Sequence, residues 1–289
     1  TVTDINGNSA SANATVTVVD NIVPTVVTKN ATIDLDSVGS ASITVSDIDN
    51  GSFDNCEFTL SLDKTTFSCD NVGVNTVTLI ATDTSGNITT ETATVTVNDV
   101  TAPTVVTQNI SFNLANGVVN ITPEDIDGGT FDNCDFTLSI DKSNFTCDDI
   151  GDHTVTLTAT DNSGNSSSST ATVSVLGDVP TISITDFTTV QTQNTNTIYL
   201  GFGPQSVTLN TTTTGGSGFT YQWTSSSGEI VDNIANPTIN PTASTTYNVI
   251  VTNSNGCSAS TSIDVCVIDA RAYDRKGRYK GKVLVCHHT

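Results

Sequence analysis

The sequence predicts an all-β protein of small two-sheet sandwiches in tandem, and three observations carry that expectation. Apolar residues alternate with Thr and Ser, as in Val77, Leu79, Ala81 and again in Ala93, Val95, Val97, which is the period of a strand with one buried face. Turn residues (Gly, Asn, Asp, Ser) punctuate the chain every few residues, and no sustained 3.6-residue apolar pattern appears. Finally, the chain repeats itself: Asp4-Ile-Asn-Gly-Asn8 returns as Asp83-Thr-Ser-Gly-Asn87 and as Asp161-Asn-Ser-Gly-Asn165. Units near 79 residues built from such strands suit an immunoglobulin-like sandwich, and the whole suits an elongated array of them.

The register of the repeat aligns Asp20, Asp99 and Asp178, then Pro24 with Pro103, Phe53-Asp-Asn-Cys56 with Phe131-Asp-Asn-Cys134, and Cys69 with Cys147. Residues 1–20 read as the C-terminal part of one copy, 21–99 and 100–177 as two complete copies. From 178 to 267 the spacing changes. Phe219-Thr-Tyr221-Gln-Trp223 and Thr245-Thr-Tyr247-Asn-Val249 suggest another sandwich, with the single tryptophan in its core. Residues 268–289 form a basic tail. A chain without methionine is expected to be part of a longer protein.

Charge is divided unevenly. The net charge of −21 combines a C-terminal strip of Arg271, Arg275, Lys276, Arg278, Lys280 and Lys282 with a strongly acidic remainder. Such a surface repels nucleic acid and anionic membrane, and no apolar run is long enough to span a bilayer. The strip reads either as a docking surface for an acidic partner or as a lysine-protected edge strand.

Within each complete copy, Phe58-Thr-Leu and Thr66-Phe-Ser flank Asp63-Lys64 as the arms of a hairpin would, which sets Cys56 opposite Cys69. The expected disulfides are therefore Cys56–Cys69 and Cys134–Cys147, each closing a short loop and contributing about 3 kcal/mol. Cys257 and Cys266 lie about 30 Å apart along one strand. Cys266 is then expected to pair with Cys286, leaving Cys257 unpaired or facing a cysteine beyond the end of this sequence.

Asp47, Asp49 and Asp54, repeated as Asp125, Asp127 and Asp132, surround a glycine bend and could converge on Ca²⁺; the other reading is that they cap backbone amides. A separate cluster would form if Asp83 or Asp161 met Asp99 or Asp178. No catalytic constellation is visible: His153 is replaced by Asn75 in the other copy, and no phosphate loop, nucleophile elbow or zinc-protease helix occurs. The chain is expected not to be an enzyme.

The Asp-Asn-Cys, Phe-Ser-Cys or Phe-Thr-Cys, Thr-Val-Thr-Leu, Asp-x-Ser-Gly-Asn and Ala-Pro-Thr elements of residues 1–177 resemble HYR (hyalin) repeats, immunoglobulin-like adhesion modules. The next unit, with Tyr-x-Trp, Asn-Pro-Thr, Thr-Thr-Tyr and Asn-Gly-Cys, is similar to PKD-like or Ig-like modules near the ends of secreted Bacteroidetes proteins. Asp264-Val-Cys266-Val-Ile-Asp269 and Lys282-Val-Leu-Val-Cys286-His287 are similar to the start of the C-terminal region in gliding-motility adhesins of the SprB type. That resemblance implies a non-catalytic stalk of a cell-surface protein, exported by the type 9 secretion system and handled at its C-terminal end by the secretion and gliding machinery. An external surface or polysaccharide would be bound through regions outside this chain. An Ig-like spacer of a type 9-secreted enzyme and a polysaccharide-binding module are the alternatives.

Overall fold

The structure is a computed structural model and describes residues 1–189, 194–273 and 279–283. Strands β1 (Val2–Thr3) and β2 (Ser9–Ala10) form a small antiparallel hairpin over the Asp4–Asn8 turn. The first complete copy supplies β3 (Ala31–Asp34), β4 (Ser40–Ser42), β5 (Phe58–Leu62), β6 (Thr66–Ser68), β7 (Gly73–Asp83) and β8 (Ile88–Asn98), with a one-turn helix α1 (Val45–Ile48). The second supplies β9 (Ile110–Asn113), β10 (Val118–Asn120), α2 (Pro123–Ile126), β11 (Phe136–Ile140), β12 (Asn144–Thr146), β13 (Gly151–Asp161) and β14 (Ser166–Leu176) in the same order.

Each copy is a sandwich of a four-stranded and a two-stranded sheet. In the first, the order is β3-β8-β7-β5 against β4-β6; in the second, β11-β13-β14-β9 against β10-β12. The long antiparallel pair β7–β8 follows from its period-two pattern, Val77, Leu79 and Ala81 facing inward with Ala93, Val95 and Val97. β3 closes the sheet edge by running parallel to β8. Ile43, Ile48 and Phe67 complete that core, and Ile121, Ile126 and Phe145 are buried at the corresponding places of the second copy. The valines of the partial first copy are not covered in this way: Val16 and Val18, in register with Val95 and Val97, are exposed.

The third sandwich adds β15 (Thr181–Ile184), β16 (Thr197–Leu200), β17 (Val207–Thr208), β18 (Thr211–Thr214), β19 (Thr220–Ser225), β20 (Thr238–Ile239), β21 (Thr245–Thr252) and β22 (Ser258–Asp269). Its main sheet is β16-β22-β21-β19, with β15-β18 and β17-β20 as smaller pairs. Trp223 sits in its core beside Tyr247, Val249 and Ile263, as expected, and the indole Nε1 donates to the Ile234 carbonyl at 2.9 Å. The strip begins with β23 (Arg271–Tyr273) and β24 (Tyr279–Val283), an antiparallel pair.

By its contacts the chain divides into two compact units. One is Thr1–Val105, Thr130–Leu138 and Thr158–Ser167; the other is Val106–Gly129, Ser139–Leu157 and Ser168–Thr289. Each disulfide and each carboxylate cluster described below lies within a single unit.

The expected cysteine pairing is corrected. The disulfides are Cys69–Cys134 and Cys147–Cys257, with Cα separations of 5.7 and 5.6 Å, while Cys56 and Cys266 are free and exposed. The reason lies in sheet topology. β5 pairs with β7 and β6 pairs with β4, so the chain between them crosses from one sheet to the other and never folds as a hairpin. Cys56 and Cys69 therefore do not face each other, nor do Cys134 and Cys147. Cys257, expected to be unpaired or to face a cysteine beyond the end of this sequence, takes Cys147 instead. The supposed partner of Cys266, Cys286, lies outside the described residues.

Candidate functional site

The Asp-x-x-Gly-Asn turns build one part of the site. Asp83 Oδ1 accepts from the amides of Ser85 and Asn87 at 2.9 and 2.8 Å, and its Oδ2 accepts from Asn87 Nδ2 at 2.7 Å. Asp161 repeats the pattern with Ser163 and Asn165, and Asp4 with Asn6 and Asn8. A glycine at positive φ, Gly86 or Gly164, closes the turn. The terminal Asn then reaches back to the aspartate just before its own module: Asn87 Nδ2 donates to Asp20 O at 3.0 Å and Asn165 Nδ2 to Asp99 O at 3.1 Å. That contact brings Asp20 beside Asp83 and Asp99 beside Asp161.

The third carboxylate comes from the loop before the first cysteine. Phe53 exchanges backbone hydrogen bonds with Thr25, and Phe131 with Thr104, which fixes the residues that follow, Asp54 and Asp132. Two clusters result, Asp20–Asp54–Asp83 and Asp99–Asp132–Asp161, in each of which one oxygen per residue lies within 4.8 Å of the others. Asp83, Asp99 and Asp161 are buried, 5%, 7% and 5% exposed. Like charges held this close repel one another, the more so where water is excluded.

Polar satisfaction is incomplete at these places. Among the described residues, the buried side-chain oxygens without a hydrogen-bond partner are both of Asp54, both of Asp132, Asp99 Oδ2 and Asn133 Oδ1. All belong to the two clusters or to the residue next in sequence. Burial pushes the Asp132 carboxyl above its usual range, with the charges of Asp99 and Asp161 adding to the shift and the nearby amides of Asn133 and Cys134, which close no hydrogen bond to it, opposing it. Asp83 moves the other way: burial would raise it, but the Asn87 side chain and the turn amides outweigh that. The Ile22 amide, then the Cys56 thiol, hold Asp20 low.

The sequence-predicted calcium sets are therefore regrouped. Asp47 accepts from the Thr44 amide and hydroxyl at 2.7 and 2.8 Å and caps α1, and Asp125 does the same for Thr122 and α2. Asp49 accepts from the Ser52 amide, and Asp127 from that of Gly129. Among the described residues these four join no group of carboxylates close enough to share an ion, whereas Asp54 and Asp132 meet carboxylates distant in sequence. The meeting of Asp161 with Asp99 was among the expectations; the part played by Asp20 was not. The signal was present, since Asp20 and Asp99 share a register.

In the last module the pattern changes chemistry. Asn253 stands where Asp83 and Asp161 stand, accepts from Asn255 and Cys257 amides, and itself donates to Asp178 O at 2.8 Å. Cys257 replaces the terminal Asn of the turn and bonds to Cys147. Both disulfides thus run from the cysteine after the short sixth or twelfth strand to the module that follows in sequence. Each is packed against a glycine: a Cβ on Gly39 would lie 2.8 Å from Cys69 Sγ, and one on Gly117 3.5 Å from Cys147 Sγ.

In the basic strip, Arg271 forms a two-pronged ion pair with Asp269 at 2.8 and 2.7 Å. Lys280 and Lys282 lie on β24, while Arg275, Lys276 and Arg278 fall outside the described residues. No helix among the described residues is long and apolar enough to cross a membrane. The two disulfides suit an oxidising, extracellular setting.

No family model and no curated protein matches the chain. Among solved structures, it is similar to immunoglobulin domains 1–5 of Sidekick-1, with TM-score 0.37 and 11% identity over 86% of this chain and 59% of that one. Titin domains I67–I69 give 0.33 and 11% over 84% and 98%, and PcdhgB3 EC1-4 gives 0.30 and 10% over 87% and 77%. The chain thus spans less than two thirds of the Sidekick-1 fragment, and with every TM-score below 0.5 the site stands on its own geometry.

Proposed function

We propose that this chain is a non-catalytic stalk segment of a large secreted cell-surface adhesin serving gliding motility and surface attachment. The observation that carries this reading is the direction of the disulfides. Each joins a cysteine of one copy to the next module in sequence, so the covalent links serve succession of modules rather than the stability of any one. The order of HYR-like copies, PKD-like module and basic strip supports the same reading. The strip, Arg271 to Lys282, would meet the type 9 secretion and gliding machinery.

A structural role for the remaining reactive groups is consistent with this. His153 Nε2 donates to the Asp149 carbonyl at 2.6 Å, and Asn75 Nδ2 donates to the Asn71 carbonyl at 2.7 Å in the same place of the other copy. Trp223 is 5% exposed, so its ring has no open face on which a sugar could stack.

The test is an in-frame deletion of residues 21–177 from the full-length gene in its own host. Loss of attachment to glass, with the shortened protein still detected by antibody on intact cells, is the expected result. Unchanged attachment together with a fall in a secreted hydrolytic activity would establish the spacer reading instead.

A further inference from the structure

The geometry points to a divalent cation site for Ca²⁺ formed by Asp99, Asp132 and Asp161, with Asp20, Asp54 and Asp83 as its counterpart one copy earlier. Three segments distant in sequence deliver the carboxylates of the first site: the end of the module after β8, the loop before Cys134, and the turn after β13. An acidic cluster alone would say little. The second observation is Asp99 itself, more than nine-tenths buried, whose Oδ1 is held by the Thr101 amide and Asn133 Nδ2 at 3.2 Å each while Oδ2 has no partner. Both oxygens of Asp132 are also shut away without a partner.

Carboxylate oxygens accept and cannot donate to one another, so nothing within the cluster can satisfy them. Among the described residues no Lys or Arg pairs with any of the three. Water could donate to the oxygens but would leave three like charges uncompensated. A divalent cation answers both needs.

The donor set selects the ion class. It is all oxygen, with no thiolate or imidazole, which disfavours zinc and copper. Ligands on opposite sides of Ca²⁺, bound at about 2.3–2.6 Å, are about 4.6–5.2 Å apart, whereas those across Mg²⁺ are about 4.0–4.2 Å apart. Separations of up to 4.8 Å let all three oxygens reach one ion of either size. A set drawn from three separate segments favours Ca²⁺, which tolerates irregular, flexible geometry, over Mg²⁺, which demands a near-ideal octahedron. Asp161 and Asp99 are already fixed by hydrogen bonds, so binding orders little that is not already ordered.

The last module supplies an internal control. Asn253 replaces the turn aspartate there, so Asp178 has no such partner, and among the described residues no third cluster forms. The stoichiometry is two ions per chain.

The test is titration calorimetry and thermal melting of the EDTA-treated 1–289 chain with CaCl₂. Extracellular calcium modules bind at about 0.1–1 mM, so the titration extends to about 10 mM. The expected result is two ions bound and a melting temperature that climbs with calcium. Asp132→Asn should bind one ion and lose part of that climb. Because removing a repelling charge could stabilise the ion-free chain, the variant is compared with and without calcium. A gain that is equal in both conditions, or a wild-type chain whose melting and heats ignore calcium at about 10 mM, overturns the site. Terbium luminescence on the wild-type chain, displaced by calcium, gives the answer independently of how the variant folds.

Discussion

Asp149 and Asn71 occupy one place in successive copies, and the comparison isolates a charge. Asp149 Oδ2 accepts from the Thr146 amide at 2.9 Å, as Asn71 Oδ1 accepts from the Ser68 amide at 3.1 Å, but Asp149 also pairs with Lys142 Nζ at 2.5 Å. The Lys142 ammonium, then the Thr146 amide, hold the Asp149 carboxyl down at about 2. A carboxylate depressed by folding stabilises the protein above its unfolded value, near 4, and that contribution fades as pH falls through about 2. Asp149→Asn keeps the cap and deletes the ion pair. Lys142 and Asp149 side chains are 38% and 22% exposed, so the cost at pH 7 should be about 1 kcal/mol or less. The denaturant midpoints of variant and parent should converge as pH approaches 2; an offset undiminished there would contradict the pairing.

Two glycines separate a steric demand from a conformational one. Gly164 and Gly256 both have positive φ, +92° and +85°. A Cβ on Gly164 meets nothing within 4 Å, whereas one on Gly256 would lie 2.3 Å from the Asn116 carbonyl carbon and the Gly117 nitrogen. Gly164→Ala should cost about 1 kcal/mol, the backbone penalty alone. Gly256→Ala should cost clearly more, about 2 kcal/mol or above, because two backbones must separate. Equal losses in chemical denaturation would mean that the close approach at Gly117 does not exist.

Among the elements, the strand pairs show what one-dimensional pattern can and cannot carry. Val77, Leu79 and Ala81, followed by Asp83 to Asn87 and then Ala93, Val95 and Val97, state their pairing in full, because a period of two and a tight turn leave one register. Phe58, Leu60, Leu62 and Phe67 alternate just as clearly around Asp63-Lys64, yet the same pattern serves a hairpin and a crossing between sheets. What decides is that β7 offers a longer edge to β5 than β6 does, a long-range competition that adjacent residues do not encode. The cysteine pairing failed with it. Asp47 and Asp125 were ambiguous for another reason: Thr three residues before Asp signals a cap, and a helix of one turn hides that signal. Asp54 and Asp132 were legible as members of a carboxylate cluster, but their companions in it were not, although the repeat register aligns Asp20 with Asp99.

The crossing strands have a measurable result. A non-reducing peptide map should yield Cys69–Cys134 and Cys147–Cys257, with Cys56 open to alkylation in the native chain. Cys69→Ser should lower stability by about 4 kcal/mol, the loop-closure value for the 65-residue separation, and should expose Cys134 to the same reagent. A Cys56–Cys69 peptide in that map would restore the hairpin.

For the whole molecule, repetition has been varied by function of position. Core positions recur without change of type from Ile43 to Ile121, Phe67 to Phe145 and Val97 to Val175. At the ends of the modules the chemistry shifts, from an Asp–Asn turn with carboxylates around it to Asn253 and Cys257 with a sulfur link. The sandwich is conserved in kind while its connections are specialised. The disulfides carry a mechanical corollary. A pull applied along the chain enters Cys69, leaves at Cys134, travels the short stretch to Cys147 and leaves again at Cys257. The bonds of residues 70–133 and 148–256 are then slack loops outside the taut route. Those loops contain both long β-ribbons of the repeats, so the greater part of the folded cores is shielded from the load, and the contour length of the loops is released only when the sulfur bridges are reduced.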